Sequence, residues 1–191
     1  MNDLSASDSS ARRARLMAIA GWLIIALSAG SALLPLLDRA ASATLVGSLL
    51  LAAGIVEILA ATQRNETKLL AMLAGAVTTF AGLMFLANPV AKFFPLITIV
   101  TAWLLVRSVI LFLTSRIAHG AVRTWIGLSA VTDAVLGVLL LAGLSIATLV
   151  VTIFGPTPTL VASFAWVFAL SFVVTGMLLL EVASCERDSA D

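Results

Sequence analysis

FFPLITIVTAWLLVRSVILFLTSRIAHGAVRTWIGLSAVTDAVLGVLLLA, residues 93–142, decides how this chain folds. It contains two apolar runs, Phe93–Thr114 and Val122–Ala142, parted by the polar break from Ser115 to Gly120. Each run has about the 20 residues that an α-helix needs to cross the hydrocarbon core of a bilayer. A break this short makes the two helices fold back on one another as an antiparallel hairpin. Four similar runs lie outward from this stretch: Leu16–Leu37, Ala41–Ala61, Leu69–Ala87 and Leu160–Val182. Their breaks are Asp38-Arg39, Thr62 to Lys68 and Asn88-Pro89 to Lys92. The sequence therefore predicts an all-α, polytopic membrane bundle of six transmembrane helices.

Composition agrees with that reading. Apolar residues are 61% of 191, charged residues 11%, and the mean hydropathy is +1.15. Soluble domains are roughly half apolar and about a quarter charged, so this chain expects lipid as its solvent. A net charge of +1 gives no electrostatic case for nucleic acid. The single cysteine, Cys185, excludes an intramolecular disulfide and a multi-cysteine metal site. The sequence has no Gly-rich phosphate loop ending in Lys, no Ser/His/Asp set and no HExxH. No enzyme activity, cofactor or metal is expected. His119, alone in a connecting loop, reads as a solvated residue.

Lys and Arg set the orientation. Placing the N-terminus inside puts Arg12, Arg13, Arg15, Arg64, Lys68, Arg116, Arg123 and Arg187 on the cytoplasmic side. Only Arg39 and Lys92 fall outside, a clear positive-inside bias. The expectation is a bacterial inner-membrane protein with both termini cytoplasmic. Residues 1–11, polar and without a signal-peptide pattern, read as a disordered cytoplasmic tail. The membrane domain then covers 12–183, and 184–191 form a second cytoplasmic tail. Residues 144–159 fit less simply. They read as a short helix at the extracytoplasmic surface or an overhang of the fifth helix, ended by Pro156 and Pro158, with a re-entrant loop as the alternative.

The chain also repeats itself. Gly21 and Gly75, Ser28 and Gly82, Pro35 and Pro89, and Gly54 and Ser108 are each 54 residues apart. Doubling that offset carries Arg15 to Arg123. Three helix hairpins result, at about 12–65, 66–119 and 120–183, the last with about 13 extra residues between its helices. Small residues at these spacings let helices approach closely in lipid, and are compatible with a second copy of the chain or another membrane protein as partner. Hairpins carrying Gly, a small residue and Pro at seven-residue spacing, with Gly or Ser in the return helix, resemble the HdeD-like acid-resistance membrane family. The resemblance covers roughly Arg12–Val182. It implies a role in survival of acid or other stress and brings no catalytic residues. Ser28, Ser108 and Leu144 depart from its pattern.

Ionisable residues inside the spans are the functional candidates, because each costs roughly 2.5–3.5 kcal/mol at the bilayer centre. Asp133 lies about 15 Å along its helix from Arg123, near the midplane. Trp125, Ser129, Asp133 and Gly137 recur every four residues and share one helix face. Arg107 enters the preceding helix to a similar depth, which predicts an Arg107–Asp133 ion pair. Glu57 is shallower, and either shares the same guanidinium or reaches the cytoplasmic interface. The candidate polar site is thus Asp133, Arg107, Glu57 and Ser129. Such a pair serves either to fix helix register or to carry a proton or solute, so a small transporter or channel and a membrane scaffold stand as alternative functions. Phe164, Phe168 and Phe172 read as packing or lipid contact.

Overall fold

A computed structural model of the protein describes residues 2–31, 39–64, 67–87, 96–142 and 162–188. It contains α1 (Asn2–Gly30), α2 (Arg39–Ala61), α3 (Lys68–Ala87), α4 (Leu96–Ile117), α5 (Gly120–Leu141) and α6 (Ala162–Asp188). Each of the six has a stretch long and apolar enough to cross a membrane, from Ala11–Gly30 in α1 to Trp166–Cys185 in α6. Among the described residues there is no strand. The protein is a multi-pass, all-helical bundle.

The first and last helices reach beyond their membrane-spanning stretches. Residues 2–11 continue α1, and α6 runs on to Asp188. Extending a helix whose core is already fixed adds one bond per residue without a new nucleation cost. Residues 2–11 contain no Gly or Pro to stop it. Arg187 complements the C-terminal end of α6, which favours positive charge. The segment 144–159, Pro35 and Pro89 lie outside the described residues.

The helices close a ring in chain order, with α6 returning to pack on α1. The closest approaches join neighbouring hairpins rather than the two arms of one hairpin. At the α2–α3 crossing, a Cβ built on Gly75 would lie 3.0 Å from the Gly54 carbonyl oxygen. At the α1–α6 crossing, one built on Gly21 would lie 2.9 Å from the Gly176 carbonyl oxygen. At α4–α5 the corresponding contact is Gly137 against the Leu105 side chain, at 2.9 Å. Small residues thus bring backbones into contact where lipid gives no hydrophobic reward for association.

Burial shows the repeat in three dimensions. The inner face of α2 is Val46, Leu50, Ala53 and Glu57; 54 residues on, α4 presents Val100, Leu104, Arg107 and Leu111. A further 68 residues on, α6 presents Phe168, Phe172, Thr175 and Leu179. All twelve are buried. In the odd helices Ile24, Thr78 and Asp133 take equivalent inward places, each 0% exposed. Ile24 to Ala53 and Thr78 to Arg107 both span 29 residues, whereas Asp133 to Thr175 spans 42. The surplus of 13 lies between α5 and α6. The scaffold is therefore pseudo-threefold while its polar groups are not.

Two apolar clusters fill the ring. One holds Ile24, Leu50, Val100, Leu104, Phe168 and Phe172; the other, toward the α2–α3 and α4–α5 connections, holds Met17, Leu111, Ile126 and Leu178. Arg107, Glu57 and Asp133 lie at the level between them. Outward faces carry Trp22, Phe80, Val109, Val135 and Leu170, all well exposed. That inversion of the soluble pattern is what a lipid-facing surface requires.

Candidate functional site

Arg107 is 2% exposed and is the largest fully buried side chain among the described residues. Burying a guanidinium is tolerable only when its donors are met and its charge is opposed. Its Nη1 donates to Asp133 Oδ2 and, at 3.4 Å, to Ser171 Oγ. Its Nη2 donates to Glu57 Oε1 and to Thr175 Oγ1, both at 2.7 Å. The predicted Arg107–Asp133 pair is formed, and Glu57 shares the same cation. Nε of Arg107 has no hydrogen-bond partner.

Hydroxyls from two helices, α3 and α6, complete the cluster. Ser171 donates to Asp133 Oδ1 at 2.7 Å, and Thr175 donates to the Ser171 carbonyl at 2.8 Å. Thr78 contacts Glu57 Oε2 at 3.3 Å and accepts from Trp103 Nε1 at 3.2 Å. Glu57 on α2, Thr78 on α3, Arg107 on α4, Asp133 on α5 and the α6 pair make one network across five helices. Trp103 and Phe168 stack at 5.6 Å, and the Arg107 guanidinium lies 6.0 Å from the Trp103 ring. This aromatic layer closes one side of the site and adds a cation–π attraction.

With both carboxyls ionised, two negative charges face one guanidinium. Arg64, half-buried on the α2–α3 connection, is the next cation along that side. Burial pushes its guanidinium down to about 10, while the Glu57 charge acts in the opposite direction. It remains charged at neutral pH.

Ser129 does not join the network. It is buried one turn from Asp133 on the same face, as expected, but its Oγ has no hydrogen-bond partner. Trp125 is half-buried on that face. Phe168 and Phe172 are core residues, while the side chain of Phe164 lies outside the described set. His119 is exposed at the N-cap of α5, and Cys185 is half-buried on α6. Sequence reading did not single out Thr78, Ser171 or Thr175. A signal existed for the last: it holds the place of Arg107 in the following repeat.

The asymmetry between the two serines is testable. Ser171→Ala removes a donor from a buried carboxylate and is expected to cost about 1 kcal/mol, within the range of interhelical hydrogen bonds in membranes. Ser129→Ala removes no bond and is expected to leave stability unchanged. Unfolding of the purified variants in mixed micelles with increasing dodecyl sulfate reads both; equal losses would contradict the described bonding.

A family described as "Short repeat of unknown function (DUF308)" matches residues 19–87 and again residues 73–142. The matches are displaced by 54 residues at their starts and 55 at their ends. The same displacements relate Ile24 to Thr78 and Thr78 to Asp133. Each match covers three helices, α1–α3 and then α3–α5. No curated protein and no solved structure matches the chain.

Proposed function

The chain belongs to the family described as a short repeat of unknown function (DUF308), and from that footing we propose a non-catalytic role in survival of acid or general stress. It acts in the bacterial inner membrane with both termini in the cytoplasm. The orientation rests on the eight-to-two division of Lys and Arg. The stress role rests on the likeness of the hairpin pattern to the HdeD-like family. The observation that carries the reading is the buried Glu57–Arg107–Asp133 cluster, which ties the helices together through ionisable groups at the middle of the bundle. Membrane spans avoid such charges unless they serve a purpose.

A standing pore is a poorer fit. Arg107 and Asp133 are 2% and 0% exposed, and neither the α1–α2 groove nor the α3–α4 groove is lined by the triad. The bundle therefore works as a tied assembly and not as an open path.

Acid survival of a deletion strain, complemented with the wild-type chain or Asp133→Asn, tests the proposal. Wild type is expected to restore survival, and Asp133→Asn, inserted to the same level, to fall short of it. Equal rescue would remove the cluster from the mechanism. An absent deletion phenotype, under conditions where the chain is expressed, would remove the stress role.

A further inference from the structure

We propose that the groove between α1 and α2 binds one anionic phospholipid, with an acyl chain in the groove and the headgroup phosphate held by Arg12 and Arg15. The groove encloses about 280 Å³ between Leu16, Ile19 and Leu23 on α1 and Val56, Leu59 and Ala60 on α2. It exists because the arms of this hairpin pack less closely than the hairpins pack on one another. Its walls are apolar except at one end, where Thr62 and Gln63 line it. Gln63 Nε2 donates to Thr62 Oγ1, so this end has a fixed polar rim.

Helix geometry places the charge at that rim. Residues four apart share a helix face, so Arg12 precedes Leu16, and Arg15 precedes Ile19, by one turn on the groove side of α1. Both arginines are exposed. An apolar slot that opens onto two guanidiniums matches a molecule with a hydrocarbon tail and an anionic head. Basic sites between helices at a membrane surface recognise anionic headgroups in this way. The comparison groove between α3 and α4, lined by Val77, Phe80, Met84, Ile99, Ala102 and Val106 among others, has no Arg or Lys among its described lining residues. In the sequence, the 54-residue offset pairs Arg12 and Arg15 with Glu66 and Leu69. The lipid site therefore belongs to the first hairpin and does not recur in the second.

The test uses the full chain in lipid nanodiscs carrying phosphatidylglycerol or phosphatidylcholine with a diazirine in one acyl chain, and maps the crosslinks by mass spectrometry. Phosphatidylglycerol is expected to label the α1–α2 groove more than phosphatidylcholine, by roughly fivefold for each arginine. Arg12→Gln with Arg15→Gln should abolish the preference and leave phosphatidylcholine labelling unchanged. These side chains are exposed, so the fold is preserved; unfolding in dodecyl sulfate confirms it. Equal labelling by the two lipids would overturn the proposal. So would a preference that survives the double substitution, or one that is equally strong at the α3–α4 groove, which would be ordinary annular lipid.

Discussion

Arg107→Met is expected to destabilise the bundle by about 3–5 kcal/mol, the cost of breaking a buried ion cluster by removing one side of it. Charge counting explains why this single change outweighs its neighbours. Glu57 and Asp133 share one guanidinium, so losing the cation strands both carboxyls at a level where Arg107, Asp133 and Thr78 are almost fully buried. Asp133→Asn leaves a neutral Glu57–Arg107 pair, with Ser171 still able to bond the new amide. Its cost is expected near 1–2 kcal/mol, which is why it suits a functional test in cells. A triple variant, Glu57→Gln with Arg107→Met and Asp133→Asn, removes all the charge and is expected to recover most of the loss. Unfolding midpoints in dodecyl sulfate would rank the three. If Arg107→Met unfolds with the wild type, the cluster does not tie the helices together.

Asp133 and Arg107 were legible in the sequence because each interrupts an otherwise apolar run, and lipid makes such an interruption costly. Their similar depth along adjacent antiparallel helices put the pair within reach, without showing that the two side chains face each other. Glu57 was harder, since its place four residues before the end of α2 also fits a side chain reaching the headgroups. Ser171 and Thr175 were hidden for a different reason. Hydroxyls are common in membrane helices and usually bond to their own backbone, as Thr114 does with the Ile110 carbonyl. Only the third dimension separates Ser171, which bonds Asp133, from Ser129, which does not.

The fold shows a similar division. Run length and hydropathy were enough for the six spans, and the 54-residue offset was enough for the repeat. The offset states which residues are equivalent, however, and says nothing of which ones touch. Gly54 and Gly75 belong to different hairpins, and their contact follows only once the hairpins stand side by side in a ring. Gly21 and Gly176 are further removed still, meeting because α6 closes on α1. Polarity at residues 2–11 carries no signal for or against helix, and there α1 continues without a break. A helix already anchored by its membrane-spanning part extends through polar residues at little cost.

Those glycine contacts carry the second large effect. Gly54→Ala is expected to destabilise the protein by about 1–3 kcal/mol, and Gly54→Leu by more. A Cβ at position 54 would lie 2.5 Å from the Thr79 backbone nitrogen and 2.8 Å from the Gly75 carbonyl oxygen. Backbone atoms inside a helix cannot swing aside as a side-chain end can, so α2 and α3 must move apart and lose packing along their length. Gly127→Ala is the matching control, since nothing lies within 4 Å of its Cβ position on α5. There the same substitution relieves only the entropy cost of helical glycine and is expected to stabilise by about 0.5–1 kcal/mol. Opposite signs for one chemical change at two helical glycines, read as shifts in the unfolding midpoint, would locate the stability of the bundle in its inter-hairpin crossings. A neutral Gly54→Ala would mean that α2 and α3 do not cross at this distance, and would take the side-by-side placement of the first two hairpins with it.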